Sequence, residues 1–395
     1  MKILYLSQRF GFTTSGIYAD LMKELVNRGH DVCIITCSSD THIDYNSINY
    51  DNGCKIFHIK VINQFCTNRI IKFIAQLQIA YKMRRKIKSL PDNIKFDLVL
   101  YPTPPITFAK LLSLCKKKYN ATMYLMLKDI FPQNAVDLGM MRKGSLIYKY
   151  FRNMEKKLYK YSDFIGCMTH GNIEYLKENN KNIDENKIEL FPNAIRCKGL
   201  SKHNIKPKGS QIIFLFGGNL GQPQDIPFLL RCIKSLSGYK LAKFIIIGNG
   251  TQSDMIEEYI RIEGCGNIQY MKELPRDKYE QYISNCDVGI VLLNVKFTIP
   301  NCPARMISYM SKGIPILAST DRCTDIRTII CDQAKCGLWC PSDSVDSFCN
   351  LVKYFCEEAD LEFLGSNGQE YIKKNYNVVD SVKILEHHFY DIRGE

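Results

Sequence analysis

The chain has 395 residues, of which 46% are hydrophobic and 24% charged, and this balance excludes a disordered or fibrous protein. Its length favours two domains, each able to bury its own core. The net charge of +13 calls for an anionic partner: a nucleotide, an anionic lipid surface or a nucleic acid. No zinc-finger spacing or other nucleic-acid-binding signature accompanies that charge, so we expect no nucleic acid partner.

The cysteines and the amino terminus indicate a cytoplasmic protein. The 17 cysteines are scattered without a C-x-x-C pair, and the set Cys331, Cys336 and Cys340 lacks the spacing of a zinc site. No run of 18 apolar residues could span a bilayer, and the start MKILYLSQRF is typical of a first strand. We therefore expect a cytoplasmic location, peripheral on the inner face of the plasma membrane.

Short apolar strands alternate with helical patterns along the whole chain. The predicted strands are Ile3–Ser7, Val32–Cys37, Lys55–Val61, Leu98–Tyr101, Met123–Leu127, Phe164–Met168, Ile212–Phe216, Phe244–Ile247, Ile268–Met271, Val288–Leu293 and Ile314–Ala318. Continuous apolar runs indicate strands that are buried on both faces, as parallel sheets covered by helices require. The alternation predicts an α/β protein with doubly wound parallel sheets.

A polar, basic stretch without periodicity divides this pattern at residues 196–210 and predicts an interdomain linker. We expect a Rossmann-like acceptor-binding domain at 1–195 and a Rossmann-like nucleotide-sugar-binding domain at 211–375, facing a central cleft. A final helix at 376–395 is expected to pack back on the first domain. Ligands of open α/β sheets bind at the carboxyl ends of the strands.

A glycine-rich turn follows the first strand of the second domain, and a helix is expected to start near Asp225. The turn contains Gly217, Gly218, Asn219, Leu220 and Gly221. Backbone N–H groups in such a turn can approach a phosphate, although an ordinary tight turn explains the glycines as well.

Two further features lie at the same predicted sheet edge. Gly248 and Gly250 end the next strand, and the segment around Pro303 opens a later helix. Arg305 falls in the first turn of that helix, where a cation opposes the helix dipole unless an anion lies between them. The alternative is a solvated or surface-paired arginine.

Taken together, these motifs resemble glycosyltransferase family 4, in the branch that builds bacterial surface polysaccharides such as O-antigen, capsule and colanic acid. The resemblance spans nearly the whole chain in the expected order. It rests on the GGNLG turn, the P-A-R helix start, the segment YMSKGIPILA, Gly16, NRGHDVCII from Asn27, KDIFPQ from Lys128 and FPN from Phe191.

The sequence departs from the family pattern at two places. Many members carry an Arg and a Lys in the glycine turn, where this chain has Asn219 and Gln224. The family's paired glutamates fall at Pro300 and Ser308, neither of which is acidic. These departures leave open which groups hold the ribose and the donor sugar.

The resemblance implies a GT-B fold and a hexosyl- or N-acetylaminosugar transferase that retains anomeric configuration. The main electrostatic demand of such a reaction is the negative charge of the departing nucleoside diphosphate. The sequence contains no D-x-D motif, so we expect no metal and no cofactor. The amides of Gly218–Gly221, the helix that begins at Pro303, and Arg305 would supply the positive charge.

The candidate acceptor residues lie in the first domain. Asp129 ends a predicted strand and is the candidate catalytic carboxylate, with Arg305 as its counterpart in the donor domain. Asp129 could instead cap a helix. Lys128 is a candidate for an acceptor phosphate, and Ser15 and Gly16 form the first strand–helix turn, where acceptors commonly bind in this fold.

A basic amphipathic helix is predicted at residues 68–90. Apolar residues recur at Ile70, Ile74, Leu77 and Tyr81, and the stretch from Asn52 to Pro91 contains no acidic residue. Such a helix either lies on an anionic membrane surface or packs on a core with a solvated basic rim. The membrane interpretation favours a lipid-linked saccharide acceptor beside the nucleotide-sugar donor.

Two other functions remain open from the sequence. A sugar-nucleotide epimerase of the same fold would work without an external acceptor. A catalytically degenerate binding subunit would retain the fold and partner an active transferase.

Overall fold

In the computed structural model, the chain divides into two compact units: Met1–Arg196 with Val378–Glu395, and Cys197–Asn377. The structure describes residues 1–13, 16–40, 43–45, 47–61, 69–197, 207, 209–264 and 266–393, but not the side chains of 69–77, 276–277 and 390–393. Most of the expected linker therefore lies outside the described residues. Its first residue, Arg196, belongs to the first unit, where its guanidinium pairs with Glu24 at 2.9 Å.

The described residues of the first unit form an eight-stranded sheet of order β3-β4-β2-β1-β5-β6-β7-β8. Every pairing is parallel except β3 with β4. The strands are β1 Lys2–Ser7, β2 Asp31–Ser38, β3 Asn49–Asp51, β4 Cys54–Lys60, β5 Leu98–Pro102, β6 Thr122–Leu127, β7 Phe164–Cys167 and β8 Ile188–Leu190. The helices are α1 Ile17–Asn27, α2 Arg69–Ser89, α3 Ala109–Tyr119, α4 Gln133–Asp137, α5 Leu146–Tyr161, α6 His170–Asn179 and, from the end of the chain, α13 Val378–Arg393.

The second unit is built on a six-stranded parallel sheet of order β11-β10-β9-β12-β13-β14. Its strands are β9 Ile212–Gly217, β10 Ala242–Ile247, β11 Ile268–Met271, β12 Val288–Leu292, β13 Ile316–Thr320 and β14 Gly337–Pro341. Its helices are α7 Ile226–Ser235, α8 Ser253–Glu263, α9 Arg276–Asn285, α10 Ala304–Ser311, α11 Val345–Glu357 and α12 Leu361–Asn375.

The continuous apolar runs explain both sheets. Central strands such as β5, β12 and β13 are buried along their whole length, because helices cover both faces. In each sheet the strand order reverses beside the first strand of the unit, between β1 and β5 and between β9 and β12. Crevices at such switch points are where doubly wound sheets bind ligands. The structure thus confirms the predicted class of two doubly wound parallel-sheet domains.

Helix α13 belongs to the first unit, where acidic contacts hold it. Glu386 accepts hydrogen bonds from the Arg28 guanidinium at 2.6 Å and from His30 Nε2 at 2.9 Å. Two residues later, His388 contacts Glu189 at 2.8 Å and stacks on Phe164. The Arg28 and His30 of the R-G-H segment therefore help to anchor the end of the chain.

The predicted strands all occur, most with bounds that differ by one residue, and the largest shift is at β13. The run Ile314–Ala318 was expected to be a strand, but β13 begins at Ile316. The amide of Ile314 instead donates to the carbonyl of Tyr309 and closes the end of α10. The apolar run therefore includes the helix–strand connection as well as the strand.

Candidate functional site

The glycine turn after β9 packs backbone to backbone against the turn after β10. Gly218 has φ +127° and Gly248 has φ +154°, conformations that side chains rarely adopt. A Cβ atom on Gly248 would lie 1.8 Å from the Gly218 carbonyl oxygen, and one on Gly250 would lie 2.1 Å from that of Leu220. The glycines are therefore required by the close approach of two adjacent loops at the carboxyl edge of the sheet.

The structure corrects the expected role of the turn's amides. The amide of Gly218 donates to Ile247 O at 2.9 Å, and that of Leu220 donates to Asn249 O at 2.9 Å. The amide of Gly221 donates to Gln224 Oε1 at 3.3 Å. These three N–H groups are used within the protein and are not free to cradle a phosphate.

Asn219 and Gln224, which occupy the positions of the family's Arg and Lys, are bonded to each other. Asn219 Nδ2 donates to Gln224 Oε1 at 3.0 Å, so Gln224 closes the turn over its own backbone. The turn then leads into α7, whose amide at Phe228 is capped by Asp225. The start of this helix was therefore correctly predicted.

Arg305 lies against this turn at the start of α10, as predicted. Pro303 precedes the helix, and Arg305 is its second residue. The guanidinium stacks on Phe216 at 4.4 Å, and its Nη2 lies 3.0 Å from where a Cβ atom on Gly218 would be. Gly218 therefore makes room for Arg305.

One nitrogen of this guanidinium has no partner. Nη1 of Arg305 is buried and makes no hydrogen bond within the described residues. Burial lowers the pKa of Arg305 from its ordinary value, because no carboxylate compensates the charge. Such an orphan donor costs about 1–3 kcal/mol unless a ligand accepts from it, and an anion is the ligand that best suits it.

Two tyrosines that were not predicted from the sequence pack against the strand end that carries the glycine turn. The Tyr309 hydroxyl donates to Leu215 O at 3.0 Å beneath the turn. A Cβ atom on Gly217 would lie 2.0 Å from the Tyr279 hydroxyl, so this glycine makes room for the tyrosine. The helical spacing of Arg305 and Tyr309 is the one signal that could have placed them together.

The loop that leads into α10 is fixed from the end of β13. Thr324 Oγ1 donates to Asn301 O at 2.6 Å, and the Asn301 amide returns a bond to that hydroxyl at 3.4 Å. The buried Asp321 accepts from the amides of Cys323 and Thr324 at 2.9 Å each. The start of α10, and with it Arg305, is thus held by side chains distant in sequence.

In the first unit, Asp129 is held by Thr103 and Asn134. Thr103 Oγ1 accepts from the amides of Lys128 and Asp129 at 2.9 and 3.1 Å, and Asn134 Nδ2 donates to Asp129 Oδ1 at 2.7 Å. Burial raises the pKa of Asp129 to about 6, against the opposing hydrogen bond from Asn134. A carboxyl group with this pKa can accept a proton near neutral pH.

Asp129 does not cap α4, although its carboxylate accepts a hydrogen bond from the neighbouring backbone amide of Ile130. Helix α4 is preceded by Pro132, and no side chain bonds to its first amides. The Asp129 carboxylate instead stabilises the loop through Asn134 and raises the pKa of the nearby Tyr18 hydroxyl, in addition to the effect of burial.

A small pocket of the first unit connects Lys128 with helix α13. Lys128, Tyr18 and Asn193 line it together with Ser381 of α13. Lys128 Nζ donates to Phe191 O at 3.2 Å, so its ammonium is held at the pocket wall. Gly16 precedes α1 with φ 46°, while Ser15 lies outside the described residues.

Comparisons with known proteins agree with this architecture. The description "Glycosyltransferase Family 4" matches residues 17–198, and "Glycosyl transferases group 1" matches residues 200–375. The chain is a family 4 glycosyltransferase. A relative from Pseudomonas aeruginosa, "Probable glycosyltransferase WbjE", is 25% identical over 320 residues, which cover 78% of each chain.

Solved structures of GT-B enzymes share the fold of this glycosyltransferase. Sucrose-phosphate synthase from Thermosynechococcus elongatus has a TM-score of 0.77 at 14% identity and covers 99% of this chain and 100% of its own. The lipopolysaccharide outer core galactosyltransferase WaaB has a TM-score of 0.63 at 13% identity, and the match covers 99% of this chain and 100% of WaaB. Transferases of this fold bind a nucleotide-sugar donor and a sugar acceptor.

The described residues include neither a candidate metal centre nor a candidate membrane span. They contain no group of three or more His, Cys, Asp or Glu side chains placed to hold a metal ion. Within the same residues, no helix is both long and apolar enough to cross a bilayer. The described cysteines are free thiols, most of them buried. A metal-independent reaction stays a prediction.

The basic helix packs on the protein over its described side chains. Ile79, Met83 and Ile87 are fully buried, whereas the predicted apolar residue Tyr81 is 60% exposed. Ile70, Ile74 and Leu77 lie outside the described side chains. The core-facing alternative therefore applies to the second half of α2.

Proposed function

We propose that this glycosyltransferase moves a sugar from a nucleotide-sugar donor to a lipid-linked saccharide acceptor in bacterial surface polysaccharide biosynthesis. The unpartnered Nη1 of Arg305, buried against the glycine turn, carries the proposal. In this role Arg305 and the first turn of α10 bind the diphosphate of the donor, and Gly217–Gly221 with Gly248 and Gly250 shape the surface that it approaches.

The proposed chemistry retains the anomeric configuration and uses no metal or cofactor. The bond between the sugar carbon and the phosphate oxygen breaks, and the acceptor hydroxyl oxygen forms the new bond on the same face. The departing diphosphate takes the acceptor's proton. Arg305 stabilises the negative charge that grows on the leaving group, where a fixed cation is most effective.

The acceptor residues proposed here lie in the first unit. Asp129, held by Thr103 and Asn134, orients the acceptor hydroxyl or contacts donor hydroxyls. Lys128 lies at the wall of the small pocket, where a cation suits an acceptor phosphate. Gly16 ends the loop between β1 and α1, beside the switch point of this sheet, and Ser15, which lies outside the described residues, is proposed together with it.

A ligand panel tests the donor site directly. Thermal unfolding is measured with nucleoside diphosphates and sugar nucleotides, each in the absence and in the presence of EDTA. Because a ligand that binds only the folded state raises its stability, we expect one base to shift the midpoint selectively. No shift with any member, or a shift that EDTA abolishes, contradicts a metal-independent donor site.

Product analysis with and without a polyprenyl-diphosphate-linked saccharide tests the reaction. We expect donor consumption to depend on this acceptor and the product to keep the anomeric configuration of the donor. An epimerised sugar nucleotide formed without acceptor would favour the epimerase alternative instead.

A further inference from the structure

Four large apolar side chains are exposed together around the start of helix α5. Met140, Leu146, Ile147 and Tyr150 are 45%, 87%, 55% and 41% exposed. Leu146 and Ile147 lie four and three residues before Tyr150, so the three share one face of the first helical turns. Single exposed apolar residues are ordinary, but a cluster of this kind marks an interaction surface. We call residues 140–150 the α5 surface.

The charge around these side chains is of one sign. Arg142, Lys143 and Lys149 are exposed, and the sequence has no acidic residue between Asp137 and Glu155. The ion pairs of the described residues include none of these three cations. Further along the helix, Lys156, Lys157 and Lys160 are exposed as well. The α5 surface thus combines apolar side chains with uncompensated positive charge.

Helix α5 is coupled to the segment that carries the candidate catalytic carboxylate. Phe151 packs edge-on against Phe131 with ring centroids 5.0 Å apart. Phe131 lies two residues after Asp129. A partner that docks on the α5 surface therefore contacts an element that packs on the Asp129 loop.

We infer that the α5 surface docks this enzyme onto an anionic lipid bilayer. Leu146 and Ile147 enter the headgroup region, while Arg142, Lys143 and Lys149 contact lipid phosphates. The purpose of this docking rests on the proposed function, since a lipid-linked acceptor must be met at a membrane. The described half of α2 is less suited, because its apolar side chains Ile79, Met83 and Ile87 are already buried.

Vesicle co-sedimentation tests the apolar part of the surface. The purified full-length protein is mixed with phosphatidylcholine vesicles that contain or lack an anionic lipid. The double variant Leu146→Ser/Ile147→Ser should bind anionic vesicles at least about tenfold more weakly. The control Ile262→Ser replaces an apolar side chain of α8 that is 64% exposed, and it should bind as the wild type does.

Charge variants separate the α5 surface from α2. Arg142→Gln/Lys143→Gln should weaken binding to anionic vesicles about fivefold or more for each charge removed, and added salt should abolish the difference. The matched pair Arg84→Gln/Arg85→Gln removes two exposed cations from α2 and should change binding little. Wild-type binding by both α5 variants, or no preference of the wild type for anionic vesicles, overturns the inference.

An insertion measurement gives independent evidence. Because Trp339 is the single tryptophan, Trp339→Phe/Ile147→Trp places the one tryptophan on the α5 surface, where it can be excited selectively. Its emission should shift to the blue with anionic vesicles and stay unchanged with an acidic protein as partner; the opposite result overturns the inference. Stabilisation by nucleoside diphosphates is measured on the same samples, so that a failure of docking is distinguished from a failure of the donor site.

Discussion

Replacement of Arg305 by alanine is the sharpest test of the donor site. A hydrogen bond to a charged group contributes about 1.5–3 kcal/mol, so loss of the proposed bond from Nη1 should weaken nucleoside diphosphate binding about 10- to 150-fold. Folding should change much less. The variant relieves the cost of the buried orphan donor, about 1–3 kcal/mol, and loses the stacking on Phe216, about 0.5–2 kcal/mol.

Ligand-induced stabilisation reports this difference. At a ligand concentration of about 100 times the wild-type Kd, the free energy of unfolding should rise by about 2.7 kcal/mol, against about 0.4 kcal/mol for a variant that binds 100-fold more weakly. Arg327→Ala is the matched control, because Arg327 also stacks on an aromatic ring of this unit, at 5.4 Å from Trp339. Equal stabilisation of wild type and Arg305→Ala, with Arg327→Ala behaving alike, refutes the role of Arg305.

Three further predictions concern backbone, pH and the last helix. Gly248→Ala should lower the free energy of unfolding by more than about 1 kcal/mol, because its Cβ atom would lie 1.8 Å from a carbonyl oxygen. The control Gly238→Ala places its Cβ atom in open space and should not lower it. Equal urea midpoints for the two variants would contradict this prediction. Because burial raises the pKa of Asp129 to about 6, the folded state holds a proton that the unfolded chain loses from about pH 4. Wild-type unfolding free energy should therefore fall by about 2–3 kcal/mol relative to Asp129→Asn as pH rises from about 4 to 6, and parallel pH profiles would exclude this. Burial lowers the pKa of His30 below its ordinary value of 6.5, so His30 loses stabilising energy as the pH falls below about 6.5. Arg28 and His30 lower the pKa of Glu386 against the effect of burial, so Glu386 loses stabilising energy only below about pH 4.5. Hydrogen exchange of α13 should accelerate relative to α3 between pH 7 and 5, and a constant ratio would be evidence against this anchoring role.

The sequence was sufficient for the central strands and for the edge strand β11, but not for the other three edge strands. Apolar runs such as Ile212–Phe216 predict central strands, because a strand that is covered by helices on both faces has almost no position for a polar side chain. Strands β3, β8 and β14 were not predicted, and each lies at the edge of its sheet. Two of them have three residues, and β14 includes a glycine and a proline. Their pairing is set by the backbone of a neighbouring strand, which no local pattern records.

The candidate site shows the same division between local and distant information. The position of Arg305 follows from its place in the first turn of a helix, which the sequence displays. The hydrogen bonds of the Gly218 and Leu220 amides do not follow from the local sequence, because their acceptors, Ile247 and Asn249, lie at the end of β10 and in the loop after it. Likewise, the bond from the Asn134 side chain of α4 to Asp129 is a contact that no local pattern displays.

The two departures from the family pattern have a common consequence for the donor site. At Asn219 and Gln224 the family's cations are replaced by amides that bond to each other, and the Gly221 amide bonds to the same oxygen. The turn therefore offers a donor phosphate neither a charged side chain nor the amides of Gly218, Leu220 and Gly221. Arg305 is the cation that the described residues place against it. A site that concentrates its charge in one guanidinium should depend on that residue more steeply than a site that shares the charge among three, since no neighbouring cation can compensate for its loss.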